Sequence, residues 1–418
     1  MKILLSAFAC APNVGSEAGA AWRWAMELAR HHEVVVITDE FRREAIEAEL
    51  ALRPMDNPRF VFFRPRWLRQ VPFRSFWSRL LYVGWQYSLL PFARRLHRQD
   101  QFDFVHHLTW GVFRHPSFLG LLGIPFVLGP LGGGEDAPLR LKQSIRGRAK
   151  WGELFRTALN WLAHFSPTLW WASSRALVIF ARTPSTARML PYGLGRRAVL
   201  AQEIGTSPRA DIAPRRRAID KPLRVIFAGR LLALKGVHFA IAAVAHAREK
   251  GADVHFSVIG SGPFSAELRL RASELGVAVE FVDHVPQHEL FERFRQADCF
   301  LFPSLHDSGG TVVLEALSFG LPVICLDLCG PAEFVDEDCG VVVATAGKSE
   351  SEVEAALGDA LVMMTTNSDA LTRRSLGALQ RAHYHAIENQ VGRAMAVIEN
   401  ALDEIHKPRR SSEIERVR

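Results

Sequence analysis

Short runs of consecutive apolar residues alternate along this chain with longer stretches whose apolar residues recur every three or four positions. "KILLSAF" (2–8) and "HEVVVIT" (32–38) have the density of buried strands, and "SEAGAAWRWAMELARHH" (16–32) between them has the period of a helix. "FDFVHHLT", "IPFVLGP", "RALVIFAR" and "RAVLAQE" continue the series as far as Glu203. Strands alternating with helices predict a parallel sheet with right-handed crossovers. The pattern breaks at "GTSPRADIAPRRRAIDKP" (205–222), which is rich in Pro and Arg, poor in apolar residues, and reads as a linker. It restarts with "LRVIFAG", "VHFSVIG", "AVEFVDHV", "DCFLFPS" and "PVICLDL", each followed by helix-like sequence. The predicted organisation is an α/β domain over 1–204, the linker 205–222, a second α/β domain over 223–384, an amphipathic helix over 385–406 and a charged, disordered tail over 407–418. Two open parallel sheets facing each other would place a ligand cleft at the carboxyl ends of their strands.

Composition narrows this picture. A chain of 418 residues, 48% hydrophobic and 23% charged, has room for two or three soluble globular domains. No apolar run reaches the roughly 20 residues that span a bilayer. "MKILLSAFACAP" reads as a first strand rather than a signal peptide, so the expected location is cytoplasmic. Five cysteines do not make a disulfide framework. Cys325, Cys329 and Cys339 are spaced poorly for zinc and read better as reduced core thiols, so no metal site is expected.

The net charge of +7 is unevenly placed: residues 59–98 hold nine arginines, eleven aromatics and no acid. Such a stretch suits an anionic membrane surface, or else a pair of amphipathic helices packed on the domain. No nucleic-acid-binding motif accompanies it, and a nucleic-acid partner is not expected.

Candidate chemistry gathers in the second half. In "FAGRLLALKG" a strand ends at Gly229, and Arg230 and Lys235 follow, two cations suited to a diphosphate. In "SVIGSGP", Gly260 and Gly262 allow a tight turn or a close backbone approach to a ligand. In "HDSGGTVVLEALSFGLPVI" (306–324), Gly309, Gly310 and Thr311 would open a helix whose free amides form an anion site. Asp307 lies just before that helix and Glu315 in its second turn. Carboxylates beside a phosphate site accept hydrogen bonds from hydroxyls, which suggests a nucleotide-sugar with one acid for each sugar. The structural alternative is a capping Asp and a surface Glu.

Together, "GRLLALKG", "VIGSGP", "ADCFLFPS" and "DSGGTVVLEALSFGLPVI", in this order over residues 225–336, resemble the donor-binding half of the retaining glycosyltransferases of family 4, which have the GT-B fold. The resemblance implies that Arg230 and Lys235 hold the donor diphosphate and Glu315 the ribose. It puts Asp307 where relatives usually have Glu, and Ser308 and Gly309 where they often carry an aromatic residue. "VDHVP" matches the segment that contacts the nucleobase, near His284 and Val285. In the first half, "APNVGSEAGAAW" matches a loop that would bring Gly15 and Ser16 near the donor phosphate or acceptor. Where many relatives carry a His, this chain reads Gly129-Pro130-Leu131, with His107 as the nearby candidate. Of His106 and His107, one is expected buried and one exposed if both are structural. Gly132, Gly133 and Gly134 would let a backbone approach a sugar, and Glu135 would bind acceptor hydroxyls.

The function implied is a metal-independent, retaining transfer of a sugar from a UDP- or GDP-linked donor to a glycan or lipid-linked acceptor in cell-surface polysaccharide synthesis. The terminal helix would cross back to the first domain. The alternatives are a sugar-nucleotide epimerase or phosphorylase of the same fold, or a non-catalytic sugar-nucleotide-binding protein.

Overall fold

A computed structural model of the protein describes residues 1–71, 75–145, 147–209, 211–216 and 220–407, so the predicted tail lies outside the described residues from 408 onward. The first domain is a seven-stranded parallel sheet. Its strands are β1 (Lys2–Ser6), β2 (Glu33–Thr38), β3 (Arg59–Phe62), β4 (Phe104–His107), β5 (Phe126–Leu131), β6 (Val178–Ala181) and β7 (Ala198–Leu200), in spatial order β3-β2-β1-β4-β5-β6-β7. The apolar run of β1 is central because it pairs on both sides: Leu4 lies opposite Val35 of β2 and Val105 of β4. The helices of this half are α1 (Ser16–Leu28), α2 (Arg43–Leu52), α3 (Ser75–Asp100), α4 (Gly147–His164), α5 (Pro167–Ser173) and α6 (Pro184–Met189).

The basic aromatic stretch 59–98 is not a pair of helices. It contributes the edge strand β3 and most of one long helix, α3, which carries Pro91 inside it. Leu81, Tyr82, Trp85 and Leu89 of α3 are buried against Phe8, Val35 and Val105. Arg59 is paired with Asp100 at 2.5 Å, and Arg64 with the buried Asp39. Much of this aromatic and cationic content therefore serves the fold.

The second domain is a six-stranded parallel sheet of β8 (Leu223–Ala228), β9 (Val254–Ile259), β10 (Val279–Val282), β11 (Cys299–Phe302), β12 (Val323–Leu326) and β13 (Gly340–Val343), in order β10-β9-β8-β11-β12-β13. Its helices are α7 (Val237–Glu249), α8 (Ser265–Glu274), α9 (Gln287–Gln296), α10 (Thr311–Ser318), α11 (Pro331–Phe334), α12 (Glu350–Thr366) and α13 (Ser368–Tyr384). All five cysteines are buried as free thiols. Burial pushes the Cys325 thiol well above its usual range, which makes it an inert packing group.

The last helix, α14 (Ile387–His406), lies on the first domain. Val391, Ala394, Met395, Ile398 and Leu402 form its apolar stripe and pack with Ile3, Leu5 and Trp24. The chain thus passes between the domains twice, and the two passages touch. The Thr206 amide donates to the His385 carbonyl at 2.9 Å, and the Ile387 amide to the Thr206 carbonyl at 3.1 Å. Residues 137–145 of the first domain reach into the second. Leu141 and Ile145 join its core, and Ser144 donates from its amide to Glu350 at 3.0 Å. Among the described residues no helix is long and apolar enough to cross a membrane.

Candidate active site

The carboxyl ends of β8, β9 and β11 carry the second domain's share of the cleft. Three glycines there are fixed by close backbone contact. Gly229 and Gly260 have φ of 155° and 136°, and a Cβ on Gly260 would sit 2.0 Å from the Gly229 carbonyl oxygen. A Cβ on Gly262 would meet the Leu231 carbonyl oxygen at 2.3 Å. These glycines let two loops interlock beneath Arg230, whose side chain is exposed. Lys235 ends a single turn of 3-10 helix (Ala233–Lys235) closed by the left-handed Gly236. A Cβ on Gly236 would strike the Pro303 carbonyl, so the lysine loop is pressed against the end of β11.

That contact sets the central interaction of the site. The Lys235 ammonium lies 2.5 Å from Asp307 Oδ2. The other oxygen, Oδ1, accepts from the amides of Gly309 at 3.2 Å and Gly310 at 2.9 Å. Asp307 therefore braces the turn that leads into α10 through one oxygen and holds the lysine through the other. Burial alone would raise its pKa, but Lys235 and the two amides outweigh burial and hold the carboxyl below its usual range. Gly310, at φ 63°, makes the left-handed turn into α10, and Thr311 is that helix's first residue. Asp307 bonds the two amides that precede the helix and not the helix's own first amides, and both its oxygens are engaged.

Glu315, one turn into α10, is not a surface group. Burial raises its pKa, opposed by a 2.8 Å hydrogen bond from Gln287 and by the charges of Arg23 and Arg209. Arg23 belongs to α1, so a cation of the first domain faces the acid of the second. Its Nε is buried with no hydrogen-bond partner among the described residues. His284 is exposed and Val285 half-buried in the turn between β10 and α9.

The first domain meets this site at the ends of β5 and β6. Arg182, one residue beyond β6, donates to Glu203 at 2.9 Å and to Glu17 at 3.0 Å, and its Nη1 lies 3.5 Å from Ser308 Oγ. Burial opposes its charge, but Glu203, Glu17 and Glu135 raise its pKa further. Gly132 lies against both partners: a Cβ there would be 2.9 Å from Arg182 Cδ and 3.2 Å from Ser308 Cβ. Gly309 faces Ile204 Cδ1 at 3.8 Å from such a Cβ position. Gly15 caps α1 with open space around it, and Ser16 begins the helix, its side chain outside the described set.

Several expected first-domain residues are placed elsewhere. His107 is 2% exposed. Its Nδ1 lies 3.4 Å from Ser6 Oγ and from Gln86 Nε2, and its Nε2 lies 3.2 Å from Tyr82 Oη. Burial pushes its pKa down to about 3, so it stays neutral inside the domain and offers no base to the cleft. His106 is buried too, with Nε2 2.7 Å from the Gly129 carbonyl oxygen, so neither histidine is exposed. Glu135 is 0% exposed and accepts from Thr183 at 3.0 Å, Thr186 at 2.8 Å and the Gly133 amide at 2.9 Å. It organises the loop internally rather than binding acceptor hydroxyls. Gly133 accepts from Arg114 at 3.0 Å, and Gly134 packs on Thr186. Of this glycine run, Gly132 is the residue that meets the other domain.

Sequence reasoning passed over Arg182, Arg23 and His306. Arg182 ends the quoted strand "RALVIFAR", where ligands of such sheets gather, and Arg23 interrupts an apolar helix face in "AAWRWAM". His306, next to Asp307, has a buried Nδ1 without a partner among the described residues. Its pKa is lowered by burial and by Arg156, against the opposing charge of Glu135 and Glu153.

Residues 209–368 match the sequence model of the family described as "Glycosyl transferases group 1". Over 172 residues the chain is 26% identical to the amylovoran biosynthesis glycosyltransferase AmsK of Erwinia amylovora, covering 39% of this chain and 42% of that one. The chain spans about two fifths of the length of the first curated relatives it matches. Two solved structures align over nearly all of it. The apo form of the lipopolysaccharide outer core galactosyltransferase WaaB gives a TM-score of 0.62 at 11% identity, covering 97% of this chain and 100% of that one. HepE of Anabaena, in complex with UDP and glucose, gives 0.55 at 15% identity, covering 96% and 100%. The two facing parallel sheets form a GT-B fold, and the second of them carries the sequence signature of the group 1 glycosyl transferases.

Proposed function

We propose that the protein transfers a sugar from a nucleoside-diphosphate sugar to a hydroxyl of a glycan or lipid-linked acceptor in surface polysaccharide synthesis. The observation that carries this reading is the cluster of Lys235, Asp307 and the Gly309 and Gly310 amides at the entry to α10, where the second sheet faces the first. Lys235 and the exposed Arg230 share the loop between β8 and α7, where they would meet a diphosphate. They would stabilise charge on the leaving group as it develops, the role a metal ion fills in other transferases. Glu315 would take the ribose hydroxyls. The proposal extends to the names of the relatives: AmsK for a polysaccharide product, and HepE for a uridine nucleotide donor.

Retention follows as part of the same proposal. Both oxygens of Asp307 are engaged, one by Lys235 and one by two amides, so the carboxylate is held as a structural group rather than a free nucleophile. A front-side route needs no nucleophile. The acceptor hydroxyl attacks the anomeric carbon on the face that the diphosphate leaves, the C–O bond to phosphate breaks, and the departing phosphate oxygen takes the hydroxyl proton.

The test is thermal unfolding against UDP-, GDP-, ADP- and TDP-sugars, with Arg230→Ala and Glu315→Ala in parallel. A ligand that binds only the folded state raises the midpoint. One nucleotide should raise it, and both variants should lose the shift. No shift with any nucleotide, or a shift that both variants keep, overturns the site assignment. An inverted anomer in the isolated product overturns the front-side route.

A further inference from the structure

Helix α4 is amphipathic in the reverse sense for a surface helix. Its polar side faces the protein: Arg156 donates to Glu153 at 2.8 Å and to Asp136 at 3.0 Å, Thr157 donates to Asp136 at 2.9 Å, and Asn160 is buried and donates to the Gly133 carbonyl at 3.2 Å. Its apolar side faces outward, with Trp151 75%, Phe155 66% and Leu162 69% exposed. These lie four and seven residues apart, a stripe along one face. Trp161 and Phe165 flank the stripe, and α5 continues it with the exposed Trp170 and Trp171. A cavity of about 250 Å³ beside the stripe is lined by Leu139, Ile145 and Leu154, with the exposed Lys150 and the largely buried pair of Lys142 and Glu153. An apolar face of this extent on an isolated chain marks a contact surface.

We propose that the α4–α5 face seats on an anionic lipid bilayer. Charge selects this occupant. From Ala137 to Gln202 the chain holds eleven Lys and Arg and one acid, Glu153. Glu153 is turned inward, ion-paired with Arg156 and Lys142. The outward face therefore joins exposed tryptophan, phenylalanine and leucine to cations such as Lys150, Arg175 and Arg188. Arg175 stacks over Trp171 at 3.9 Å. That is the chemistry of a helix lying in a headgroup layer, with rings at the acyl boundary and cations on lipid phosphates. A second copy of this chain fits poorly, because a two-fold contact through one face would oppose like charges. The exposed side chains of 59–98 supply less, since that segment buries much of its aromatic surface in the core. Arg156 also donates to the Glu135 carbonyl at 2.6 Å, so the helix that would lie on lipid also holds the loop that walls the cleft. The lipid contact does not depend on the sugar-transfer reading.

Vesicle flotation of the full chain tests this, with phosphatidylcholine vesicles and with equimolar phosphatidylcholine and phosphatidylglycerol. The wild type should float with the anionic vesicles and be released by salt. Trp151→Ser/Phe155→Ser/Leu162→Ser should bind them at least about tenfold more weakly. Its unfolding midpoint should match the wild type, because the three side chains are exposed. Arg95→Ala/Arg98→Ala, on α3, should bind as the wild type does. The proposal is overturned if the wild type ignores anionic vesicles, or if the triple variant floats equally well. It is also overturned if light scattering finds a wild-type dimer that the triple variant converts to monomer.

Discussion

Asp307→Asn separates the two jobs of the site's central carboxylate. The Asn side-chain carbonyl accepts as the Asp oxygen does, so the bonds to the Gly309 and Gly310 amides survive the change. What is lost is the partner of Lys235 at 2.5 Å, in a place where both side chains are less than a fifth exposed. Removing one member of a buried ion pair costs about 3–5 kcal/mol, and the residual solvent contact here brings this to about 2–3 kcal/mol. Asp307→Ala also removes the bonds to the Gly309 and Gly310 amides, for about 1 kcal/mol more. At about 2–4 °C per kcal/mol for a domain of this size, the second domain's midpoint should fall by about 4–12 °C for Asn and further for Ala, by circular dichroism at pH 7. Nucleoside diphosphate affinity should move the other way in Asp307→Asn, rising a few-fold, because Lys235 is released and a negative charge beside the anion is gone. In a double-mutant cycle with Lys235→Met, the Asn variant's cost should largely vanish. An Asn variant as stable as the wild type, with weaker diphosphate binding, would refute the view that Asp307 acts chiefly through Lys235.

Acid should weaken the fold well above the carboxylate range. His106 and His238 are held down to about 4, and His107 and His385 to about 3, each by burial. Their folded pKa values lie below the unfolded value of about 6.5, so the unfolded chain takes up protons first. Their contribution is complete above that value and is lost as pH falls through it. Each histidine then costs about 2 kcal/mol at pH 5, offset in part by Glu203 and Glu315, whose pKa values burial raises. Urea midpoints at pH 7 and pH 5 check this, and equal midpoints would contradict it. Arg182→Met should destabilise by about 3 kcal/mol or more, because it strands the buried Glu203 and leaves Glu17 without its cation. The added change Glu203→Gln should restore part of that loss in the same urea titration.

The second domain was legible because its pattern is local. The strands β11 and β12 are short apolar runs beside Pro303 and Pro322, and Asp307, the left-handed Gly310 and the first residue of α10 fall within five consecutive residues, 307–311. The first domain was less so. β3 is four residues at a sheet edge, none of them fully buried, and its short apolar run is set among the arginines at 59, 64, 66 and 69. In the second domain the one strand passed over, β13, is likewise four residues at a sheet edge. His107 was misplaced because alternation along β4 says which residues share a face, while Tyr82 and Gln86 of helix α3, 25 and 21 residues earlier in the chain, decide whether that face is covered. Glu135 failed for a similar reason. Its three donors come from 133, 183 and 186, and the contact between its loop and α6 has no signature in sequence spacing.

The same distinction explains how the relatives divide. The matching segment 209–368 contains Arg230, Lys235, Asp307 and Glu315, and it contains no residue of the first domain. Yet the cleft is made by pairs that cross between the domains: Arg182 with Ser308, Arg23 facing Glu315, Ser144 with Glu350. In each pair the second-domain partner lies within the shared segment and the first-domain partner outside it. A donor headgroup can be recognised largely by one sheet and its loops. On the sugar-transfer proposal, the face presented to the acceptor would be set by what Arg182, Arg23 and the Gly132 loop oppose to it. Substrate choice on this fold is therefore expected to follow first-domain side chains, while the charge arrangement around the diphosphate stays with the second.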